Sequence, residues 1–149
     1  MNDLSTDNKS LIDYLNAIAA IEEIPAFIYY DGPLVYLAKD TNGGLVLVYW
    51  YDICEVRKTN RWLVVPITEQ TVFKLIYDQV SLREAIQQPL VMVVDIENNN
   101  DIAGATALDG KTLPDEYLPE PTKNFFFDKS HRDRIVPAVE RYFGKTKKA

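Results

Sequence analysis

Apolar residues recur at every second position through much of the first half of this chain, and short polar clusters interrupt them. Residues 26–30, 34–38, 45–51 and 61–67 read as strands on this pattern. Within 45–51, Leu45, Leu47, Tyr49 and Tyr51 point to one side and Val46, Val48 and Trp50 to the other. Both sets are apolar, so this strand is expected at the centre of a sheet with cover on both faces. In 61–67, Trp62 and Val64 oppose Arg61, Leu63 and Val65, and Pro66 belongs at the strand end or on an edge because it cannot donate to a ladder. The interruptions are turn-forming: Asp31-Gly32-Pro33, then 39–44 with Asp40, Asn42, Gly43 and Gly44, then the polar 57–60. Turns this short cannot join parallel neighbours, so the strands are expected as an antiparallel meander.

Helical spacing replaces alternation in four places. Leu11, Ile12, Leu15, Ile18 and Ala19 form one stripe over 8–20, with Ser5, Thr6 or Asp7 as cap and Pro25 forbidding continuation. Thr68 caps a helix over 68–77, and Ser81-Leu82-Arg83-Glu84 is a capping box opening a short helix that Pro89 ends. Residues 90–96 are continuously apolar and rich in β-branched side chains, which predicts a buried strand, with 102–108 as a weaker partner. Residues 109–123 hold three prolines and read as a loop along the surface, anchored by Phe125–Phe127. A last helix is expected from about 130 to 143, regular only from about 136 because of Pro137 and stopped by Gly144. The expected fold is α+β: an antiparallel meander sheet of five or six strands with N-terminal, middle and C-terminal helices packed on it. It forms one domain over 1–149, with 1–7 and 145–149 flexible.

Composition changes this picture little. The chain has 149 residues, 47% hydrophobic and 26% charged, enough to bury a core without staples. Cys54 stands alone, so no intrachain disulfide and no Cys–Cys metal pair can form, and it reads as a packed thiol. Residues 11–24 are broken by Asp13, Asn16, Glu22 and Glu23, which fits neither a leader peptide nor a membrane span. A cytoplasmic setting without membrane association is expected. Charge matters more, because the net −6 is uneven: residues 123–149 carry +5, leaving −11 on residues 1–122. Such a body repels nucleic acid.

Candidate chemistry is sparse. Asp95 and Glu97 end the 90–96 strand two positions apart, with Asp101 or Asp109 near in sequence, and converging carboxylates can hold a divalent cation. No Glu-x-Lys follows, and the plain reading is a solvated strand end. His131-Arg132-Asp133-Arg134 resembles a kinase catalytic loop in outline, but no glycine-rich loop, strand lysine or Asp-Phe-Gly accompanies it, and an exposed first-turn histidine is the simpler reading. Gly43-Gly44 precedes neither a helix nor a Gly-Lys-Ser/Thr, so it is a hairpin turn and not a phosphate loop. The basic groups of the C-terminal segment, including Arg132, Arg134 and Lys145, lie near the phenylalanine trio, a combination that can bind single strands. The aromatic supply of the sheet stands out instead: Tyr29, Tyr30, Tyr36, Tyr49, Trp50, Tyr51 and Trp62 put large contact area and polar tips on a surface at small entropic cost.

The stretch 28–50 (IYYDGPLVYLAKDTNGGLVLVYW), with RWLVVPI at 61–67, SLREAI at 81–86 and the 90–94 strand, resembles a family of small uncharacterised bacterial proteins. Those proteins share a strand–Asp-Gly-Pro–strand opening, a second hairpin and a Ser-Leu-Arg-Glu-like helix. The resemblance implies the hairpins and a bacterial cytoplasmic origin, and it transfers no catalytic residue. The function these features point to is a non-enzymatic protein-interaction module, of a regulatory, immunity or defence-associated kind. It needs no cofactor, and its partner is another protein or a second copy of the chain. The alternatives are a metal-dependent hydrolase or nuclease built on Asp95 and Glu97, and nucleic-acid binding through the C-terminal segment.

Overall fold

The computed structural model describes residues 8–26, 28–29, 33–54, 59–97, 101–114, 118 and 129–148. The chain opens with helix α1 (Asn8–Asn16) and continues through β1 (Ala19–Ala20), β2 (Ile28–Tyr29), β3 (Pro33–Lys39), β4 (Leu45–Cys54) and β5 (Thr59–Pro66). Helices α2 (Glu69–Ile76) and α3 (Leu82–Ile86) follow, then β6 (Val91–Ile96), β7 (Ile102–Leu108) and helix α4 (Lys129–Lys148). All strands pair antiparallel in one sheet of order β1-β3-β4-β5-β6-β7, and β2 pairs with β3 beside that path. The path from β3 to β7 is a meander, as the short turns require, and the fold is α+β.

Three boundaries differ from the sequence reading, each for a backbone reason. Helix α1 stops at Asn16, not at Ala20, because its last turn tightens: Ala17 donates to Tyr14 and Ile18 to Leu15. Ala19 and Ala20 then pair with Lys39 and Ala38, so the sheet edge takes the amides a longer helix would have used. The strands flanking the third turn are placed differently, since Thr59 and Asn60, expected in the turn, already pair with Cys54 and Ile53. At the other end of the chain, α4 runs unbroken from Lys129 to Lys148, through Pro137 and past the stop expected at Gly144. An interior proline costs about 3 kcal/mol. Packing offsets it here: Pro137 is exposed, while Ile135, Ala138, Val139 and Phe143 are buried. The Asp31-Gly32 turn and the Phe125–Phe127 anchor lie outside the described residues.

The caps form as read. Thr68 accepts the amide of Thr71 at the start of α2, and Ser81 and Glu84 satisfy each other's backbone donors at the start of α3. Pro66 is the last residue of β5, beyond the stretch that pairs with β6, so no ladder bond is lost.

Two cores lie on the two sides of the sheet. The larger one joins Val35, Leu37, Leu47, Leu63, Val65 and Val91 to α2, α3 and α4, through Val72, Leu75, Ile76, Ile86, Ile135, Val139 and Phe143. Aromatic contacts reinforce the helix layer: Phe73 stands 5.8 Å from Phe143, and the Tyr77 hydroxyl donates to Glu140. The smaller core joins Ala38, Val46, Val48, Val64, Met92 and Val94 to Leu11 and Leu15 of α1. A 3-10 turn at Gly110–Thr112 closes the meander against the start of β6, where the Gly110 amide donates to the Gln88 carbonyl at 2.8 Å.

The two glycines Gly110 and Gly144 should respond oppositely to alanine. A Cβ on Gly110 would fall 2.4 Å from the Gln88 carbonyl oxygen and 2.7 Å from Val91, whereas one on Gly144 meets nothing within 4 Å. Urea unfolding should show Gly110→Ala destabilised by about 2 kcal/mol and Gly144→Ala stabilised by about 0.5–1 kcal/mol.

Candidate functional site

The side of the sheet that carries the smaller core is where apolar and aromatic surface exceeds its cover. Strand alternation sends Tyr36 and Ala38 of β3, Val46, Val48 and Trp50 of β4, Trp62 and Val64 of β5, and Met92 and Val94 of β6 to this side. One nine-residue helix, α1, crosses it. That helix touches β7 and reaches the tip of the β3–β4 hairpin, where the Tyr14 hydroxyl donates to Asp40 Oδ2 at 2.9 Å. Leu11 and Leu15 are buried beneath it, whereas Tyr36, Trp50 and Trp62 stay half-buried. These three lie in the rows leading away from the hairpin tip. Trp50 and Trp62 face each other across β4 and β5, and Tyr36 meets Trp62 edge to face with ring centroids 6.3 Å apart. The Trp50 indole N–H donates to the Asn60 side chain at 3.3 Å. Burial pushes the Tyr36 hydroxyl above the ordinary tyrosine value, so it stays a neutral donor.

The other expected aromatics divide. Tyr49 sits on the opposite side, packed against the larger core, and its hydroxyl is likewise pushed up by burial. Tyr29 and Tyr51 lie in β2 and β4, but their side chains fall outside the described residues, as does the whole of Tyr30. So do the side chains of Cys54 and His131.

Asp40 organises the hairpin tip, and the sequence reading saw only its turn. Its Oδ1 accepts the amides of Gly44 at 2.7 Å and Asn42 at 2.9 Å, while Gly43 adopts φ +79°. The Gly44 amide and then the Tyr14 hydroxyl hold its carboxyl below the usual carboxylate range, with Asn42 contributing. Conversely, burial, then the bond to Asp40 and its charge, push Tyr14 up to about 12. The Asp-x-Asn-Gly-Gly run signals the turn; nothing in the sequence signals Tyr14 as its partner.

The carboxylates considered for a metal separate. Asp95 is buried, 7% exposed, and Arg61 grips both its oxygens: Nε to Oδ1 at 2.6 Å and Nη2 to Oδ2 at 3.0 Å. The two residues are opposite one another in the β5–β6 register, a pairing invisible until the strand neighbours are known. A register shift follows Asp95, and Glu97 lies beyond β6, exposed, with its amide donating to the Asp101 carbonyl at 2.8 Å. Among the described residues no three His, Cys, Asp or Glu side chains converge as metal ligands. Of the C-terminal basic groups, Arg132 pairs with Asp78 at 3.2 Å. Lys39, from the β3 end, lies over the Tyr142 ring of α4 at 5.7 Å. No helix among the described residues is long and apolar enough to cross a membrane.

A family model matches residues 19–129, about three-quarters of the chain and every strand of the sheet. The chain belongs to a family of unknown function, DUF6575. The DUF6575 match takes in α2 and α3, begins after α1 and ends at the first residue of α4. No match was found among curated proteins, and none among solved structures. The matched region of this chain therefore holds the sheet with its two middle helices, and the aromatic rows lie within it.

Breaking the Arg61–Asp95 pair from one side should cost more than removing both partners. Arg61→Ala should lose about 2 kcal/mol or more, because it strands a buried carboxylate. The Arg61→Leu/Asp95→Leu double variant should lose less, as chemical denaturation would show.

The Tyr14–Asp40 bond makes stability depend on pH at both ends. Asp40 is lowered in the folded chain, so its contribution is present above the unfolded carboxylate value and lost as pH falls through the folded one. Tyr14 is raised, so its contribution is present below about 10 and lost as pH rises through about 12. Urea midpoints across pH should show Asp40→Asn with a flatter acid limb. Tyr14→Phe should lose about 1 kcal/mol at neutral pH and lack the alkaline loss.

Proposed function

We propose that this chain is a non-enzymatic protein-interaction module that docks a partner on the aromatic rows of its thinly covered sheet side. The observation that carries the reading is the half-buried group Tyr36, Trp50 and Trp62, left, among the described residues, beside a single short helix while three helices cover the other side. Rigid aromatic rings give contact area with little ordering cost, and such rings recur as the energetic anchors of interfaces. The −11 charge over residues 1–122 supports a protein partner over a nucleic acid, since phosphates are repelled. The geometry at Asp95 supports a structural role for that carboxylate, because a guanidinium already satisfies both its oxygens. We read the module as a regulatory, immunity or defence-associated accessory protein of a bacterial cytoplasm, in line with the composition and the single cysteine.

A photo-crosslinking amino acid placed at Trp50, and separately at exposed Arg141 on α4, tests this in the native host. A discrete adduct specific to position 50 is expected, diminished by Tyr36→Ala. No adduct at 50, or the same adducts at both positions, would count against the aromatic rows.

A further inference from the structure

Asparagine followed by glycine occurs once in this chain, at Asn42-Gly43 on the tip of the β3–β4 hairpin. Asparagine is among the thermolabile residues, and most so before glycine. The backbone nitrogen of the glycine attacks the asparagine side-chain carbon, and the missing Cβ leaves that approach unobstructed. Thr41, Asn42 and Gly43 are all exposed, so water and base reach the bond. A chemically related bond, Asp109-Gly110, is placed differently: Gly110 is buried, and its amide donates to the Gln88 carbonyl at 2.8 Å.

The folded turn opposes the reaction through Asp40. Its side-chain Oδ1 accepts the amides of Asn42 at 2.9 Å and Gly44 at 2.7 Å, and its carbonyl oxygen accepts that of Gly43 at 3.0 Å. Ring closure needs the Gly43 nitrogen stripped of its proton and its peptide plane turned toward the Asn42 side chain. The bond to the Asp40 carbonyl resists both. Asp40 is in turn held by the Tyr14 hydroxyl of α1. The bond therefore reacts in the fraction of chains whose turn has let go of Asp40, and α1 helps to set that fraction.

We propose that Asn42-Gly43 is a self-modification site, guarded by the Asp40 turn, whose conversion to isoaspartate releases α1 from the hairpin tip. Base takes the Gly43 amide proton, the nitrogen bonds to Asn42 Cγ, and the side-chain amide nitrogen leaves as ammonia, which gives a cyclic imide. Water then opens the imide. Attack at the side-chain carbonyl yields aspartate. Attack at the main-chain carbonyl yields isoaspartate, whose backbone runs through Cγ and is longer by a methylene. That insertion moves the amides of 43 and 44 away from Asp40 and sets a second carboxylate beside it. Asp40 then loses the bonds that aim it at Tyr14. The change runs one way, because ammonia is lost, and it depends on no partner at the aromatic rows.

The test incubates the full chain beside the free peptide Lys-Asp-Thr-Asn-Gly-Gly-Leu in mildly alkaline buffer. Peptide mapping by mass spectrometry follows loss of the Asn42 amide, and enzymatic methylation of isoaspartyl carboxylates identifies the product. Isoaspartate at position 42 is expected in the folded chain, formed about tenfold or more slowly than in the peptide. Asp40→Ala should speed it about tenfold and Tyr14→Phe about fivefold, the scale of the hydrogen bonds removed. Tyr14→Phe keeps the test valid should Asp40→Ala not fold. Asp40→Asn, which keeps the amide acceptors, should stay near the parent rate. Gly110→Ala, which destabilises the chain elsewhere, should leave the rate unchanged. Hydrogen exchange of the 8–16 amides reads the consequence. The isoaspartyl form, separated by its charge, should exchange there about tenfold faster than the parent, and Asn42→Asp, of equal charge and normal backbone, about as the parent does. Any one of four results overturns the proposal: no isoaspartate at position 42 over weeks in which the peptide converts fully, equal rates in the parent and Tyr14→Phe, equal acceleration by Gly110→Ala, or unchanged 8–16 exchange in the isoaspartyl form.

Discussion

Every other feature of this fold follows from having to keep two apolar faces of one sheet away from water. Strand β4 sets the requirement, because its residues are apolar on both sides from Leu45 to Trp50. Burying an aliphatic side chain stabilises by about 1.5–3 kcal/mol, and the sheet offers rows of them on each side. The chain meets the requirement unequally. Helices α2, α3 and α4 converge on the Leu37–Leu47–Leu63 side, where most of the largest fully buried side chains lie. Among the described residues, the Val46–Val64–Met92 side receives only α1. The thinness of that second layer is what leaves Tyr36, Trp50 and Trp62 half-buried.

Much of this was legible from residue order. Alternation in 45–51 and 61–67 reports strand faces directly, since a side chain's side of the sheet depends only on parity. Caps at Thr68 and Ser81 are local chemistry, complete within four residues, and they appear where read. What failed was long range. Nothing within residues 17–20 shows that Lys39 and Ala38 will claim Ala19 and Ala20, so the helical stripe was carried too far. Pro137 misled in the opposite sense: its local cost is real, but packing of Ile135 and Val139 outweighs it. The Arg61–Asp95 pair needed the β5–β6 register, which no spacing within either strand encodes. Consequently Asp95 and Glu97 looked like a pair in sequence and are separated in space by burial and by a register shift.

Polar groups here serve mostly to hold apolar layers in place. Arg61 and Asp95 close the larger core at one end of β5 and β6. Asp40 gathers two backbone amides and a tyrosine hydroxyl at the hairpin tip. Lys39 lies over Tyr142, Glu140 accepts from Tyr77, and Arg132 pairs with Asp78, so polar contacts at its surface tie α4 to the sheet and to the segment that ends α2. Among the described residues these groups form links between elements of the fold.

The Tyr14–Asp40 contact has a consequence for how the molecule breathes. Nine residues are too few to remain helical in water by themselves, since a helix shorter than about 12–15 residues is marginal. Helix α1 is ordered by what it lies on. Its hydrogen bonds, its docking and the hydroxyl that anchors it are expected to open together, ahead of the larger core. An opening of that unit would bare Val46, Val48 and Met92 together with the tryptophans beside them. The thin side of the sheet would thus have two extents: a small aromatic strip in the closed chain, and a broad apolar field were the first helix to lift.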